Sequence, residues 1–297
     1  MQLGSTLIED TYAEAFRMWA TRLLVTACNT RWLQTAVQTI SGYGTSVIAC
    51  DAEVGYECEV PPEKTPDGRP GASLLLFAFT PDALRKVIPR RVGQCLMTCP
   101  TTAVLDGLPT AADRVPLGKT LRYFADGHQK SKWLAGRRYW RIPMMDGEFV
   151  CEETCGTIPA IGGGNLQIEA RDSTSALAAA ERAVEAMKEL PEVITPFPGG
   201  VVSCGSKVGS RYAGLQVSVN EAFVPILQKR TASRLHAGVN SVLEIVIDGL
   251  SEEAIRRAMR VGMQAAAGAG IIAISAGNFG GKLGKYHFAL HSILQEP

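Results

Sequence analysis

Two segments rich in glycine and lysine carry the residue types and the spacing best suited to bind an anion. The first is Phe197-Pro-Gly-Gly-Val-Val-Ser-Cys-Gly-Ser-Lys-Val-Gly-Ser-Arg-Tyr212, and the second is Ile274-Ser-Ala-Gly-Asn-Phe-Gly-Gly-Lys-Leu-Gly-Lys-Tyr286. In both, Lys-x-Gly comes shortly before a basic residue and a tyrosine. Glycine lets backbone N–H groups approach a ligand closely, and lysine supplies a mobile cation. The two segments together predict one site for an extended, anionic molecule.

Glu244 lies inside the apolar run Val242-Leu-Glu-Ile-Val-Ile247, which predicts a strand. Burying its charge would cost much free energy, so the side chain should either be protonated or face a cleft. A neutral glutamic acid can donate a proton or a hydrogen bond to a developing oxyanion. The alternation of the strand equally allows an outward side chain on an edge strand. Two interpretations therefore stay open, a catalytic acid and an exposed carboxylate.

Several other motifs are incomplete. A phosphate-binding loop needs a glycine where this chain has Ala276 and a Ser or Thr where it has Leu283, and no helix follows, which excludes nucleotide hydrolysis. The triple glycine of Ile161-Gly-Gly-Gly-Asn-Leu166 precedes a predicted strand, unlike a dinucleotide fingerprint. The two Cys-x-x-x-Cys pairs, Cys95/Cys99 and Cys151/Cys155, are only a weak metal signal, and a structural role of these thiols is favoured. The histidines lack the spacing of a metal pair, and no cysteine has a histidine placed for a nucleophile pair. We expect no metal site.

Charge and hydropathy argue against several classes of protein. The chain has 30 basic and 29 acidic residues, a net charge of +1, and no basic cluster, which argues against nucleic-acid binding. No apolar run approaches the roughly 18 residues of a membrane span. The first ten residues contain no basic n-region of a signal peptide. The sequence predicts a cytosolic protein without a membrane contact.

Strand and helix patterns alternate in the same way in each half of the chain. In the first half we expect strands at 21–28, 46–50, 71–79 and 93–99, and helices at 32–40 and 83–92. In the second half we expect strands at 165–170, 242–247, 271–276 and 286–290, and helices at 173–190 and 251–267. The second-half helices begin at Ser173 and Ser251, 78 residues apart, which indicates an internal repeat.

The predicted fold class is α+β, with two similar ferredoxin-like split β-α-β sandwich lobes that arose by internal duplication. We place the N-terminal lobe at residues 1–150 and the C-terminal lobe at residues 151–297. A doubly wound parallel sheet is the competing architecture. The long loops that separate pairs of units favour the split form.

Four signatures spread along the chain carry a resemblance to a known family. They are Thr65-Pro-Asp-Gly-Arg-Pro-Gly71, Arg91-Val-Gly-Gln-Cys-Leu-Met-Thr-Cys-Pro-Thr101, Phe197-Pro-Gly-Gly200 with Ser206-Lys-Val-Gly-Ser210, and Ile274-Ser-Ala-Gly-Asn-Phe-Gly-Gly-Lys-Leu-Gly284. The chain resembles formylmethanofuran:tetrahydromethanopterin formyltransferase, in particular the form of C1-metabolising bacteria.

The resemblance implies a homotetramer that moves a formyl group between the amine of a furan-type carrier, methanofuran or methylofuran, and N5 of a tetrahydromethanopterin. It implies no metal and no tightly bound cofactor. In the bacterial relatives the subunit belongs to a formyltransferase/hydrolase complex, in which the formyl group is released as formate.

The resemblance also implies site residues. The family's buried strand glutamate falls on Glu244. As a separate hypothesis, we expect Asn278 to orient the carrier beside it. The carriers have acidic tails, for which Lys207, Arg211, Lys282 and Lys285 are suitable contacts. The full set of expected substrate-binding residues is Gly199, Gly200, Ser206, Lys207, Arg211, Asn220, Gly280, Gly281 and Lys282.

One stretch departs from the family pattern. Where the family usually has Ala-Ser-Thr-Asn-Asp-Ala, this chain has Val217-Ser-Val-Asn-Glu-Ala222, so that Val219 lacks a hydroxyl and the Glu221 carboxylate is one methylene further out. These changes allow a second function, a non-catalytic subunit that binds the carrier within the complex. A sensing domain for a small ligand, built from ferredoxin-like lobes, is a third, but it would not need Glu244 inside an apolar strand.

Overall fold

The computed structural model describes residues 1–296, and the chain forms two compact units in it. The N-terminal unit is Arg17–Ile161, and the C-terminal unit combines Met1–Phe16 with the chain from Gly162 onward. The predicted lobes of residues 1–150 and 151–297 stay a prediction. No helix among residues 1–296 is long and apolar enough to cross a membrane.

The strands are β1 (Gln2–Leu3), β2 (Thr6–Ile8), β3 (Tyr12–Thr26), β4 (Glu53–Val60), β5 (Gly71–Ala78), β6 (Ala103–Asp106), β7 (Asp113–Pro116), β8 (Lys130–Leu134), β9 (Arg137–Met144), β10 (Gly147–Glu152), β11 (Thr154–Ala170), β12 (Val193–Ile194), β13 (Ser206–Val208), β14 (Val217–Val219), β15 (Ser241–Gly249), β16 (Ile271–Ser275) and β17 (Tyr286–Ala289). The α-helices are α1 (Thr30–Ser41), α2 (Pro81–Arg91), α3 (Gly118–Leu121), α4 (Ser173–Lys188), α5 (Glu252–Ala266) and α6 (Leu290–Gln295).

The N-terminal unit follows the order β3-α1-β4-β5-α2-β6, which is a split β-α-β pair. Its strands lie in the order β6-β3-β5-β4, and these neighbours are antiparallel. Asn29 caps α1, since its side chain accepts a hydrogen bond from the Trp32 N–H at 3.1 Å. Thr80 caps α2 by accepting from the Ala83 N–H at 3.1 Å, with Pro81 in the first turn. These local signals place the helices where the sequence predicts them.

The C-terminal unit repeats the order as β11-α4-β12-β15-α5-β16. Its strands lie in the order β12-β15-β11-β16, and β2 adds a parallel strand beyond β16. The β17 strand pairs with the start of β3, between Tyr12 and Ala15. Asp172 and Ser251 cap α4 and α5. The predicted ferredoxin-like α+β fold is confirmed.

Two predicted strands are wrong. Residues 46–50 form turns, in which the Ser46 carbonyl accepts from the N–H groups of Ala49 and Cys50, and the strand is β4. Residues 93–99 begin as a π-helix, Val92–Leu96, that continues α2, and the strand is β6. Val92 and Leu96 are fully buried and four residues apart, which is the spacing of one helical face. A short apolar run does not distinguish these alternatives.

The β11 strand has one apolar face and one polar face in the C-terminal unit. Leu166 lies against α5, where its Cδ1 is 3.1 Å from the position a Cβ would take at Gly262. Asn165, Gln167 and Glu169 alternate with the apolar residues and share the other face, yet all three are buried. Buried polar side chains need partners. This polar face of β11 is therefore a candidate for a binding or catalytic site.

Candidate active site

Glu244 lines a cleft of about 480 Å³, counting the space open to solvent. Its backbone pairs with the first glycine segment, since the Val202 N–H donates to the Glu244 carbonyl at 2.7 Å and the Glu244 N–H donates back at 2.9 Å. Ser203, Cys204 and Gly205 continue along the cleft wall. Of the two interpretations of Glu244, the structure thus favours the side chain that faces a cleft.

Burial raises the pKa of Glu244 from its ordinary value of 4.5 to about 7. The cause is desolvation, which disfavours the charged carboxylate. A carboxyl with a pKa near neutrality retains a large protonated fraction at pH 7. It can therefore both give and recover a proton during a reaction.

Gly277, at the start of the second glycine segment, is where the polar side chains of the site meet. A Cβ at this position would lie 3.3 Å from Asn165 Oδ1, 3.4 Å from Gln167 Nε2 and 3.7 Å from Glu244 Oε1. The Gly277 N–H donates to Asn165 Oδ1 at 2.6 Å, and Asn165 Nδ2 donates to the Gly277 carbonyl at 3.1 Å. Both glycine segments therefore reach Glu244, and a side chain at residue 277 would fill the space between its neighbours.

Glu14 holds the rest of the second glycine segment. Its Oε2 accepts from the N–H groups of Phe279 and Gly281 at 2.7 and 2.8 Å, and its Oε1 accepts from those of Leu283 and Gly284 at 2.6 and 2.5 Å. Burial acts to raise the pKa of Glu14, but the four N–H donors outweigh it and keep the pKa below its ordinary value. The segment is a turn folded around an internal carboxylate.

Few backbone N–H groups of this segment are free to bind the anionic molecule expected from the sequence. The Gly280 N–H donates to Asn278 Oδ1 at 3.2 Å, and the Gly281 N–H is bound by Glu14. Asn278 Nδ2 donates to Thr11 Oγ1 and to the Tyr12 carbonyl, each at 3.2 Å. Asn278 thus fixes the segment to the start of β3 and to the residue before it.

The predicted binding residues Gly199, Gly200 and Asn220 are split between a turn and the cleft. Gly199 and Gly200 form a turn with φ of 62° and 80°, and a Cβ at Gly200 would lie 2.7 Å from Val184 of α4. That close approach explains the glycine structurally. Asn220, by contrast, lines the cleft with Glu244.

The remaining predicted contacts lie at the β13–β14 hairpin and on the second segment. Lys207 forms an ion pair with Glu221, and this bond lowers the pKa of that carboxyl below its usual range. The Glu221 carboxylate, at which the chain departs from the family pattern, thus has a local partner. Ser206, Arg211, Lys282 and Lys285 are exposed, which is the placement needed to meet the outer part of a long ligand.

Two family models together match nearly the whole chain. The model described as formylmethanofuran-tetrahydromethanopterin formyltransferase matches residues 1–144, and the model of the proximal lobe of the same family matches residues 147–293. The formyltransferase of Methylococcus capsulatus is 53% identical over 298 residues, which cover 99% of this chain and 100% of the relative. The chain belongs to the formylmethanofuran–tetrahydromethanopterin formyltransferase family. The resemblance and the enzyme class predicted from the four signatures are confirmed.

Solved structures of the formyltransferase family agree with this assignment. The formyltransferase from Methanosarcina barkeri superposes with a TM-score of 0.94 at 46% identity, covering 99% of this chain and 100% of that one. A chain of the formyltransferase/hydrolase complex from Methylorubrum extorquens, solved with methylofuran, superposes with a TM-score of 0.96 at 44% identity, covering 100% and 99%.

A second titratable cluster lies on the polar face of β11 in this member of the formyltransferase family. His236 Nδ1 is 2.9 Å from Glu169 Oε2, and its Nε2 is 3.3 Å from Glu9 Oε1. Burial raises the pKa of Glu169, although its bonds to His236 oppose this. These three side chains are close enough to hold a metal ion. Each ring nitrogen already faces one carboxylate, however, so hydrogen bonding explains the geometry. From sequence, His236 shows no partner.

Proposed function

We propose that the protein transfers a formyl group between the amine nitrogen of a furan-type carrier, methanofuran or methylofuran, and N5 of a tetrahydromethanopterin-type pterin. The observation that carries the mechanism is the Glu244 carboxyl, whose pKa of about 7 and position between the two glycine segments suit a proton donor. The matched relatives support the substrate class, since one was solved with methylofuran.

The transfer exchanges one C–N bond for another. N5 of the pterin attacks the formyl carbon, so that a tetrahedral oxyanion forms, and the bond from that carbon to the furan carrier's nitrogen then breaks. The proton lost from N5 must reach the leaving amine. Protonated Glu244 gives its proton to the leaving nitrogen and takes the N5 proton in return. The steps need no oxidant or reductant. As the family resemblance implies, the proposal includes no metal and no tightly bound cofactor.

Positioning and one hydrogen bond account for much of the expected acceleration. Holding both carriers in line contributes about 7–11 kcal/mol. A fixed donor to the oxyanion contributes roughly 3–4 kcal/mol. Since the N–H groups of Phe279, Gly281, Leu283 and Gly284 bind Glu14 instead, Glu244 itself is the best placed donor in the cleft. Asn278 then acts on the ligand through the shape of the turn.

The proposal extends to assembly and location. By analogy with the Methylorubrum extorquens protein, which was solved within a formyltransferase/hydrolase complex, the chain joins the other subunits of such a complex. As the family resemblance implies, it also forms homotetramers, and its sequence suits a protein of the cytosol. The alternative of a non-catalytic subunit rests on the changes at Val219 and Glu221. The cleft is lined by Asn220 between them but by neither of the two, which leaves its polar lining intact.

Incubating the purified chain with a formylated furan carrier and the reduced pterin is expected to yield the N5-formyl pterin and the free amine. The product is measured by the pterin absorbance change and by mass spectrometry. Binding of the carrier without transfer would instead support the structural subunit. Binding of free amino acids without any carrier binding would support the sensing domain.

A further inference from the structure

Gln167 is a buried polar side chain that has no role in the proton transfer described above. It lies on the polar face of β11, is 5% exposed and lines the same cleft as Glu244. Its Oε1 has no hydrogen-bond partner within residues 1–296. A buried carboxamide oxygen without a partner costs free energy. A ligand that donates a hydrogen bond to this oxygen would remove that cost.

The neighbours of Gln167 on the same face offer no free acceptor to the cleft. Asn165 exchanges hydrogen bonds with Gly277. Glu169 binds His236 through Oε2, and although its Oε1 also lacks a partner among residues 1–296, Glu169 does not line the cleft. The Nε2 end of Gln167 lies toward Gly277, 3.4 Å from the position a Cβ would take there. The oxygen of Gln167 is therefore the acceptor that this row of side chains offers to the cleft.

We propose that Gln167 is a substrate-binding residue that recognises the formylated carrier through its nitrogen. This inference rests on the proposed formyl transfer. The formyl group of the furan carrier is a secondary formamide, with one N–H donor and one carbonyl acceptor. Protonated Glu244 donates to the carbonyl oxygen, and Gln167 Oε1 accepts from the N–H. The two side chains thus bind both polar groups of the formamide.

This pairing also distinguishes the two formylated molecules. The formyl pterin carries its formyl group on N5, a tertiary amide nitrogen without N–H. Of the two formylated molecules, only the furan carrier therefore offers Gln167 a donor. Gln167 thus favours the formylated furan carrier's nitrogen over N5 of the formyl pterin on the β11 side of the cleft.

The test compares two small probes, N-furfurylformamide and its N-methyl derivative, which lacks the N–H. In the wild type the first probe should bind more tightly, and Gln167→Met should weaken its binding by about 10-fold to 100-fold. The N-methyl probe should bind the variant and the wild type alike. Gln264→Met, at an exposed position of α5, is the matched control and should change neither constant.

Gln167→Glu keeps an oxygen acceptor at the same distance and should retain the preference for the N–H probe, which covers the case in which Gln167→Met does not fold. Equal weakening for both probes, or none for either, would overturn the inference. If the wild type transfers formyl and Gln167→Met shows no N–H preference change, only the role of Gln167 fails. If binding depends on Gln167 but the wild type transfers nothing, only the proposed function fails.

Discussion

Replacing Glu244 by glutamine is expected to lower kcat by about 10²-fold to 10³-fold and to change the KM for each carrier by less than about threefold. Glutamine has the size of a protonated glutamic acid and keeps a hydrogen-bond donor, so carrier binding persists. It cannot give up a proton to the leaving amine. Steady-state kinetics with both carriers varied measures the two effects separately.

Glu181→Gln, at an exposed position of α4, is the matched control and should leave both constants unchanged. The raised pKa of Glu244 adds a pH dependence, because the donor is protonated below about pH 7 and loses its proton above it. Wild-type kcat should therefore fall as the pH rises through 7, and the Glu244→Gln profile should lack this limb. An equal loss in kcat and in carrier affinity would count against a role in proton transfer.

Replacing Glu14 by glutamine is expected to destabilise the protein by about 3 kcal/mol or more. The carboxylate is 1% exposed and accepts from four backbone N–H groups. Glutamine offers one oxygen, and its NH₂ group meets two of these donors with a donor of its own. Urea-induced unfolding measures the loss. Glu185→Gln, on the exposed side of α4, should change the free energy of unfolding by less than about 0.5 kcal/mol.

The same carboxylate gives stability a predictable pH dependence. Its pKa in the folded protein lies below the ordinary value of 4.5, so the stabilisation is present above pH 4.5 and is lost as the pH falls through the folded pKa. The difference between wild type and Glu14→Gln should therefore shrink in acid. A Glu14→Gln protein as stable as wild type at pH 7 would show that the second glycine segment does not depend on this carboxylate.

Most of the fold could be predicted from local signals. The helix caps Asn29, Thr80 and Ser251, together with the repeated alternation, place four of the six main strands and helices of the first half and five of the six in the second half. The errors at 46–50 and 93–99 came from short apolar runs, which suit a strand, a turn or a helix face alike. Tertiary packing decided between them, since Val92 and Leu96 are both buried as a helical pair.

From the sequence, a residue of the candidate site could be recognised only where a charged side chain lies within an apolar segment. Glu244 could be found because a carboxylate inside an apolar strand needs an explanation. Glu14 offers the same signal between Ala13 and Ala15, but its partners lie 265–270 residues away in sequence, so its role as the centre of the glycine turn could not be foreseen. Gln167 and His236 depend in the same way on neighbours that only the folded chain supplies.

Measuring the protonation state of Glu244 is the most direct way to decide whether this residue is the proton donor. Infrared difference spectra of wild type minus Glu244→Gln, recorded from pH 4 to pH 9, isolate the carbonyl stretch of this one protonated carboxyl. The band should persist at pH 6 and disappear with a midpoint near 7. A band already lost by pH 5 would show an ordinary, ionised carboxylate and would contradict Glu244 as the proton donor.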